Sequence, residues 1–259
     1  MQLLKKIFKL FLREKIVIQN IDYREKDFFH NDANNKSLFE IAKTPSRTDL
    51  LNFLLNTFKT DTKYLEIGVR NPEDNFNSIH AKVKYSVDPG IEFIANPVDF
   101  KYTSDVFFKK LNNGEILHKE IKFDIIFIDG LHLAEQVDRD IKNALNFIID
   151  EGFIVLHDCN PPTEFHASET YSYSLSPSKG YWNGTTWKAF FNYRKRQDIY
   201  SCCIDTDWGV GIISKKIKLG EPSKISNEYY EFNVFEKNRK ESLNLISFED
   251  FKQIIYQKE

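Results

Sequence analysis

The chain has 259 residues, 36 Lys plus Arg against 38 Asp plus Glu, and a formal net charge of −2. That length fits one large α/β domain or two small ones. The even charge balance excludes a protein built chiefly to grip nucleic-acid backbone. Apolar residues make up 41% and charged residues 29%, the make-up of a soluble globular protein. The three cysteines, Cys159 and the adjacent Cys202 and Cys203, form neither a disulfide framework nor a C-x-x-C metal pair. They suit a reducing, cytoplasmic compartment. No apolar stretch approaches the roughly 20 residues of a membrane span.

In residues 1–15, MQLLKKIFKLFLREK, the apolar Leu3, Leu4, Ile7, Phe8 and Phe11 fall at helical spacing with Lys5, Lys6 and Lys9 between them. The lysines interrupt the run too often for a secretory signal. Such a helix could lie on an anionic membrane; packing on its own domain, or on a second subunit of a homo-oligomer, is the favoured expectation. Next, Ser46 and Asp49 form a capping-box pattern ahead of Leu50, Leu51, Leu54, Leu55 and Phe58. From residue 63 the period changes. KYLEI (63–67) and KYSVD (84–88) read as short strands, while FDIIFID (123–129) and FIVLHD (153–158) are nearly continuous apolar runs that stop at acids. Runs of that kind mark strands buried on both faces of a parallel sheet. Between them, Val137, Ile141, Ala144, Leu145 and Ile148 predict a crossover helix with Gly152 just beyond its end. Together these make a right-handed βαβ unit and point to a doubly wound α/β sheet with helices on both faces. A Ser-, Tyr- and Pro-rich segment of roughly 25 residues follows Asp158, long enough to be a lid or binding loop. TTWKAFFNYRKR (185–196) predicts a helix, and the short Thr206-Asp207-Trp208 connection between 199–205 and 209–215 forces antiparallel pairing. In the polar tail from 216 one last helix is predicted after Ser247.

Two constellations carry chemistry. Glu66 and Gly68 end the first strand, and Asp88, 20 residues past Gly68, ends the second. Ligands bind beyond the carboxyl ends of such strands, and an acid in the second position can hold ribose hydroxyls. The three-glycine dinucleotide fingerprint is absent, since Asn71-Pro72-Glu73 occupies its place. An adenosine cofactor without a pyrophosphate therefore fits better. Gly68 as a plain tight turn and Asp88 as a helix cap remain open. The second constellation is IDGLH (128–132) and LHDCN (156–160). Asp129 and Asp158 end strands which, if adjacent, lie about 4.8 Å apart. Carboxylates that close need a proton or cation between them, which suits Mg²⁺ or Mn²⁺. His157 is a third candidate ligand, although successive strand residues point to opposite faces, so only one of His157 and Asp158 is expected to reach the ion. Glu164 and His166 follow on the loop. His132 is a candidate general base, or else the cap of the helix beginning near Ala134.

LEIGV, SVDP, FDIIFIDGLH, GFIVLHDCNP and DTDWGVGII, spread over about residues 60–215, together resemble the class I S-adenosylmethionine-dependent methyltransferases. The likeness is nearest to bacterial metal-dependent sugar and small-molecule O-methyltransferases, often found with surface-polysaccharide or glycosylated-antibiotic pathways. The resemblance implies a seven-stranded sheet with an antiparallel last strand, and S-adenosylmethionine (SAM) as cofactor. It places Glu66 and Gly68 at the methionine side, Asp88 at the ribose, and Ser104 and Asp105 near the adenine. It also implies Mg²⁺ or a similar ion on Asp129 and Asp158, with His132 as base. The chain then divides into an N-terminal helical segment (1–59), the cofactor-binding domain (60–215) and a C-terminal extension (216–259). The expected reaction is methyl transfer to a hydroxyl of a sugar or nucleotide-linked sugar. Tyr171, Tyr173, Tyr181 and Trp182 could stack on the sugar, and Trp187, Lys188 and Arg194 could reach a phosphate; packing roles are the alternative for both sets. Two rivals are a nicotinamide-dependent oxidoreductase and a non-catalytic relative that docks a partner through residues 1–15.

Overall fold

The structure, a computed structural model, describes residues 26–93, 95–172 and 175–257. The basic stretch 1–15 and Tyr173 lie outside them. Seven strands form one sheet: β1 (Lys63–Ile67), β2 (Val83–Val87), β3 (Phe123–Ile128), β4 (Ile148–Leu156), β5 (Tyr200–Ile204), β6 (Val210–Ser214) and β7 (Leu245–Ile246). Their order is β2-β1-β3-β4-β6-β5-β7. β1 pairs in parallel with β2 and β3, and β3 with β4. β6 runs antiparallel to both β4 and β5, as the short connection requires. The antiparallel strand is thus the second of the predicted hairpin. One further two-residue strand, β7, comes from the tail and joins β5 in parallel.

The helices are α1 (Phe28–Ile41), α2 (Arg47–Leu55), α3 (Ser104–Asn112), α4 (Ala134–Phe147), α5 (Thr186–Arg194), α6 (Phe232–Lys237), α7 (Arg239–Leu243) and α8 (Phe248–Tyr256). They cover both faces of the sheet. Leu65, Ile67, Ile126, Ile128, Ile154 and Leu156 pack with Phe107, Phe108, Val137, Ile141, Trp187 and Phe190 of α3, α4 and α5. The alternate residues Tyr64, Ile125, Phe127, Phe153 and Val155 pack with Leu50, Leu51 and Leu54 of α2 and Phe251 of α8. Every residue of β3 is buried, which is why its sequence shows no polar alternation. The α2 cap is the predicted box: Ser46 Oγ accepts from Asp49 N, and the Asp49 carboxylate accepts from Ser46 N.

β4 differs from its expectation. It starts at Ile148, so Gly152 lies inside the strand instead of ending α4. A side chain at Gly152 would sit 2.8 Å from the Asp124 carbonyl, and the β3–β4 register shifts in this stretch. The glycine serves close strand approach, not helix termination. Helix α1 shows no apolar stripe in its sequence; the residues it buries are Ala33, Ser37 and Glu40.

Candidate active site

The site lies at the carboxyl ends of β1, β3 and β4, where ligands bind in open α/β sheets. Gly68 makes the junction possible. Its φ is +94°, and a Cβ there would meet the Asp129 carbonyl oxygen at 2.2 Å. Gly68 N donates to Val87 O at 2.8 Å and Asp129 N to Ile67 O at 2.9 Å, so three strand ends are laced together. Just before this turn, Glu66 is buried, with Oε2 accepting from Tyr64 Oη (2.6 Å) and Asn75 Nδ2 (2.9 Å). Burial, reinforced by the nearby Asp129 charge, outweighs those hydrogen bonds and lifts the Glu66 carboxyl to about 7.

Asp129 and Asp158 do come together, around His132. Nε2 of His132 lies 3.4 Å from Asp129 Oδ1, and Nδ1 lies 3.2 Å from Asp158 Oδ2 and 3.1 Å from the Trp182 carbonyl. One donor atom from each of Asp129, His132 and Asp158 falls within 4.8 Å of the others. Burial alone would depress His132, but the two carboxylates and the Trp182 carbonyl overcome it and raise the imidazole to about 9. Asp129 shows the converse. Burial would raise it, yet the His157 charge and hydrogen bonds from both histidines hold it well below the usual carboxylate range.

His157 and Asp158 both face this cluster, contrary to the expectation that only one would. β4 has ended at Leu156, and Asp158 adopts φ +60°, so strand alternation no longer applies. His157 Nδ1 lies 3.2 Å from both Asp129 Oδ1 and Asp158 Oδ2, while Nε2 lies 3.1 Å from Asp207 Oδ1. Asp207 was read only as part of a tight connection. It and Trp208 both have positive φ, 42° and 64°, and this turn carries the Asp207 carboxylate back over the sheet end. There it also accepts from Arg47 N at 2.7 Å. Arg47, Asp207, Asn75 and Asn183 also border the cluster and Glu66; the sequence carries no signal that gives any of them a site role, and only the folded chain brings them in. Asn183 Nδ2 donates to Asp158 Oδ1 at 2.7 Å, while its own Oδ1 is buried without a partner.

The other predicted residues divide. Asp88 follows β2, with Oδ1 accepting from Gly90 N (2.6 Å) and Asn96 Nδ2 (2.8 Å). Beside it, the loops after β1 and β2 line a cavity of about 360 Å³ with Arg70, Asn71, Asp74, Glu92 and Phe93. Ser104 and Asp105 are tied to α4: Gln136 Nε2 donates to Ser104 Oγ at 3.0 Å, and Arg139 Nε donates to Asp105 Oδ1 at 3.2 Å. Glu164 is exposed. His166 is buried between Ser37 and Thr163 hydroxyls, outside the acid cluster. In the long loop, Trp182 stacks on His132 at 5.5 Å and Tyr181 on Trp208 at 5.2 Å. Trp187 and Arg194 of α5 are not free to reach a phosphate. Trp187 is buried against Phe235, and Arg194 is buried, donating to the Ser201 and Glu221 carbonyls. Lys188 pairs with Glu169.

Residues 38–159 match the family model of a methyltransferase domain, Methyltransf_24. No curated protein matches the chain. Among solved structures, an O-methyltransferase from Bacillus cereus in complex with SAH is 13% identical, with 74% of this chain and 92% of that one covered at a TM-score of 0.44. The O-methyltransferase TomG from Streptomyces achromogenes, in complex with SAM, is 11% identical, with 73% and 90% covered at 0.42. MycE from the mycinamycin biosynthetic pathway, in complex with Mg, SAH and mycinamycin VI, is 12% identical, with 80% and 59% covered at 0.43. Among the described residues no helix is long and apolar enough to cross a membrane. The stretch that matches the methyltransferase-domain model, residues 38–159, spans the β2-β1-β3-β4 strand ends that gather Glu66, Gly68, Asp129 and Asp158.

Proposed function

We propose that this protein methylates a hydroxyl of a small molecule, a sugar or an activated sugar, with a divalent cation on Asp129 and Asp158 and His132 as general base. The observation that carries the reading is the histidine held edge-on between two carboxylates, with Trp182 on its face. The donor set suits Mg²⁺ or Mn²⁺, hard ions that take oxygen ligands and keep positions open for substrate. The buried, unpartnered Asn183 Oδ1 adds an oxygen beside Asp158. His157 is better suited to orient the acids than to ligate, because both of its nitrogens already face carboxylates.

Bound SAM supplies an electrophilic methyl, and a divalent ion lowers the pKa of a coordinated hydroxyl. The rest falls to the chain. Glu66, Gly68 and Asp88 form the cofactor edge of the cleft, with Ser104 and Asp105 near its adenine end. With Asp129 and Asp158 on its two edges, His132 holds its proton; a divalent cation on those acids would weaken that hold and let the ring accept the hydroxyl proton. Tyr181 on Trp208 and Tyr171 against Trp182 at 5.6 Å offer aromatic faces on which a sugar ring can stack while water is excluded.

The test is calorimetric titration of S-adenosylhomocysteine (SAH), with Mn²⁺ binding followed by electron paramagnetic resonance. SAH should bind with or without EDTA. Mn²⁺ should bind the wild-type protein and fail on Asp158→Asn, and His132→Gln should abolish methyl transfer in a screen of sugar acceptors. No SAH binding under either condition overturns the reading and returns the nicotinamide cofactor, tested by NADH fluorescence, to the front.

A further inference from the structure

A SAM-type cofactor ends in an amino acid, whose ammonium and carboxylate sit one carbon apart and need an acid and a cation side by side. Glu66 is the acid of the cofactor edge. His132 and His157 already face the carboxylates of Asp129, Asp158 and Asp207, and the lysines and arginines near Glu66 are few. Lys84 spends its ammonium on the carbonyls of Phe76, Asn77 and Ile79. Arg70 is exposed and turned towards Asp74 and Glu92. Arg47 remains: its neighbour Thr48 donates to Asn75 Oδ1 at 2.7 Å, and Asn75 Nδ2 donates to Glu66 Oε2 at 2.9 Å, which brings the start of α2 beside Glu66.

The Arg47 guanidinium makes its side-chain hydrogen bonds on one side only. Nη1 donates to Asp207 at 3.3 Å and lies against the His157 ring, and the backbone N–H holds the same carboxylate. Nε is buried with no hydrogen-bond partner; Asp129 Oδ2 stands 3.8 Å away, beyond bonding range. Nη2 makes no hydrogen bond to another described residue. Nε–H and Nη2–H point in the same direction and form the fork that receives a carboxylate in bidentate fashion. A buried Nε–H without a hydrogen-bond partner costs free energy comparable to a lost hydrogen bond, and a ligand carboxylate supplies the missing acceptor.

We infer that Arg47, supplied by the first turn of α2, binds the carboxylate of the cofactor's amino-acid end through its unused Nε–Nη2 edge, opposite Glu66. The inference rests on the cofactor reading above and assigns it a specificity determinant: the site prefers a cofactor with a free α-carboxylate over one without.

The experiment measures binding alone, with three probes: SAH, the carboxamide of SAH, and 5′-methylthioadenosine, which lacks the amino-acid end. A charge-assisted bidentate contact is worth about 1.5–3 kcal/mol, or roughly 10- to 100-fold in Kd. Wild-type protein should therefore bind SAH at least about tenfold tighter than its carboxamide. Arg47→Gln should lose that preference while keeping its affinity for methylthioadenosine, and Arg47→Lys should recover part of it. Because the preference is a ratio taken within one protein, a general loosening of the variant does not mimic it. Equal loss for SAH and methylthioadenosine in Arg47→Gln, or a carboxamide preference unchanged by the substitution, overturns the inference while the cofactor reading stands. Failure of wild-type protein to bind both SAH and methylthioadenosine overturns the cofactor reading and the inference with it.

Discussion

Gly68 and Gly130, neighbours across the β1 and β3 strand ends, should respond very differently to alanine. A Cβ on Gly68 would lie 2.2 Å from the Asp129 carbonyl oxygen and 2.5 Å from Gly130 Cα. Real Cβ contacts begin near 3.0 Å, so β1 and β3 must separate there by about 0.8 Å, the difference between those two distances. Nothing flexible can yield, because both opposing groups are backbone. The separation stretches the Asp129 N to Ile67 O bond, now 2.9 Å, past useful length, a loss of about 1 kcal/mol. Holding a non-glycine residue at φ +94° adds about 1–3 kcal/mol. The sum, about 2–4 kcal/mol, corresponds to a fall in Tm of roughly 5–15 °C for a chain of this size. Since Glu66 and Asp129 stand on either side of the wedge, SAH affinity should fall by at least about tenfold, as positioning errors near 1 Å do. Gly130→Ala is the control: its nearest atom would be Ile67 Cγ2 at 3.7 Å, an ordinary contact, so stability should change by less than about 0.5 kcal/mol. Thermal unfolding and calorimetric SAH titration of both variants decide the matter. If the two alanines behave alike in Tm and in Kd, the strand ends are not held as tightly as argued.

SAH binding should weaken as pH falls through the value near 7 at which buried Glu66 takes up a proton. In the proposed function Glu66 faces the ligand ammonium as a carboxylate, so the loss approaches tenfold per unit at most. Glu66→Gln should bind more weakly at pH 8 and show a flatter profile; a wild-type profile already flat from pH 5.5 to 8 would contradict this. His166 gives a stability prediction. Burial presses its pKa down to about 4, so the folded state binds fewer protons than the unfolded one, and stability present above pH 6.5 drains away as pH falls towards 4. The total is about 3 kcal/mol at 1.4 kcal/mol per unit. Chemical denaturation at pH 7 and pH 4.5 should show a smaller drop for His166→Gln than for wild type, and equal drops count against a neutral buried ring. Arg194→Met should lower stability by about 2–4 kcal/mol, since it strands the carbonyls that Arg194 serves. It should leave SAH binding untouched, and a binding loss without a stability loss would restore a ligand-facing role.

The central strands were legible because burial on both faces leaves an unbroken apolar run, as in FDIIFI of β3, and because each run ends at an acid. The acid-histidine cluster was legible for the same reason: strand ends of adjacent parallel strands must meet. What escaped was structure whose determinants are polar and distant in sequence. Helix α1 buries Ser37, whose hydroxyl meets His166 across 129 residues, and no hydrophobic period records such a contact. The start of β4 was misplaced because Ile148 continues the apolar stripe of α4, and Gly152 reads equally as a helix stop or as a strand position under close approach. The expectation that only one of His157 and Asp158 reaches the cluster fails because strand alternation does not extend the two residues beyond Leu156. The positive φ of Asp158 is not visible in LHDCN.

Charge accounting explains why the distant pieces belong to the site. Asp129, Asp158 and Asp207 stand against Arg47, His132 and His157, all within one contact network. Groups this buried cannot remain charged without partners, so the acids at the ends of β3 and β4 need the cations beside them. Arg47 arrives from α2, and Asp207 from the β5–β6 turn, where two successive residues accept left-handed backbone geometry. Trp208 holds that turn down: its carbonyl accepts from Asn160 N at 2.9 Å, and its ring lies between Tyr181 and His166. Removing Asp207 would thus leave Arg47 and His157 facing each other across 3.4 Å without the carboxylate that separates their charges. The β5–β6 hairpin is also what keeps the positive groups of the cluster in register with its acids, so the hairpin turn and the candidate site are one piece of construction.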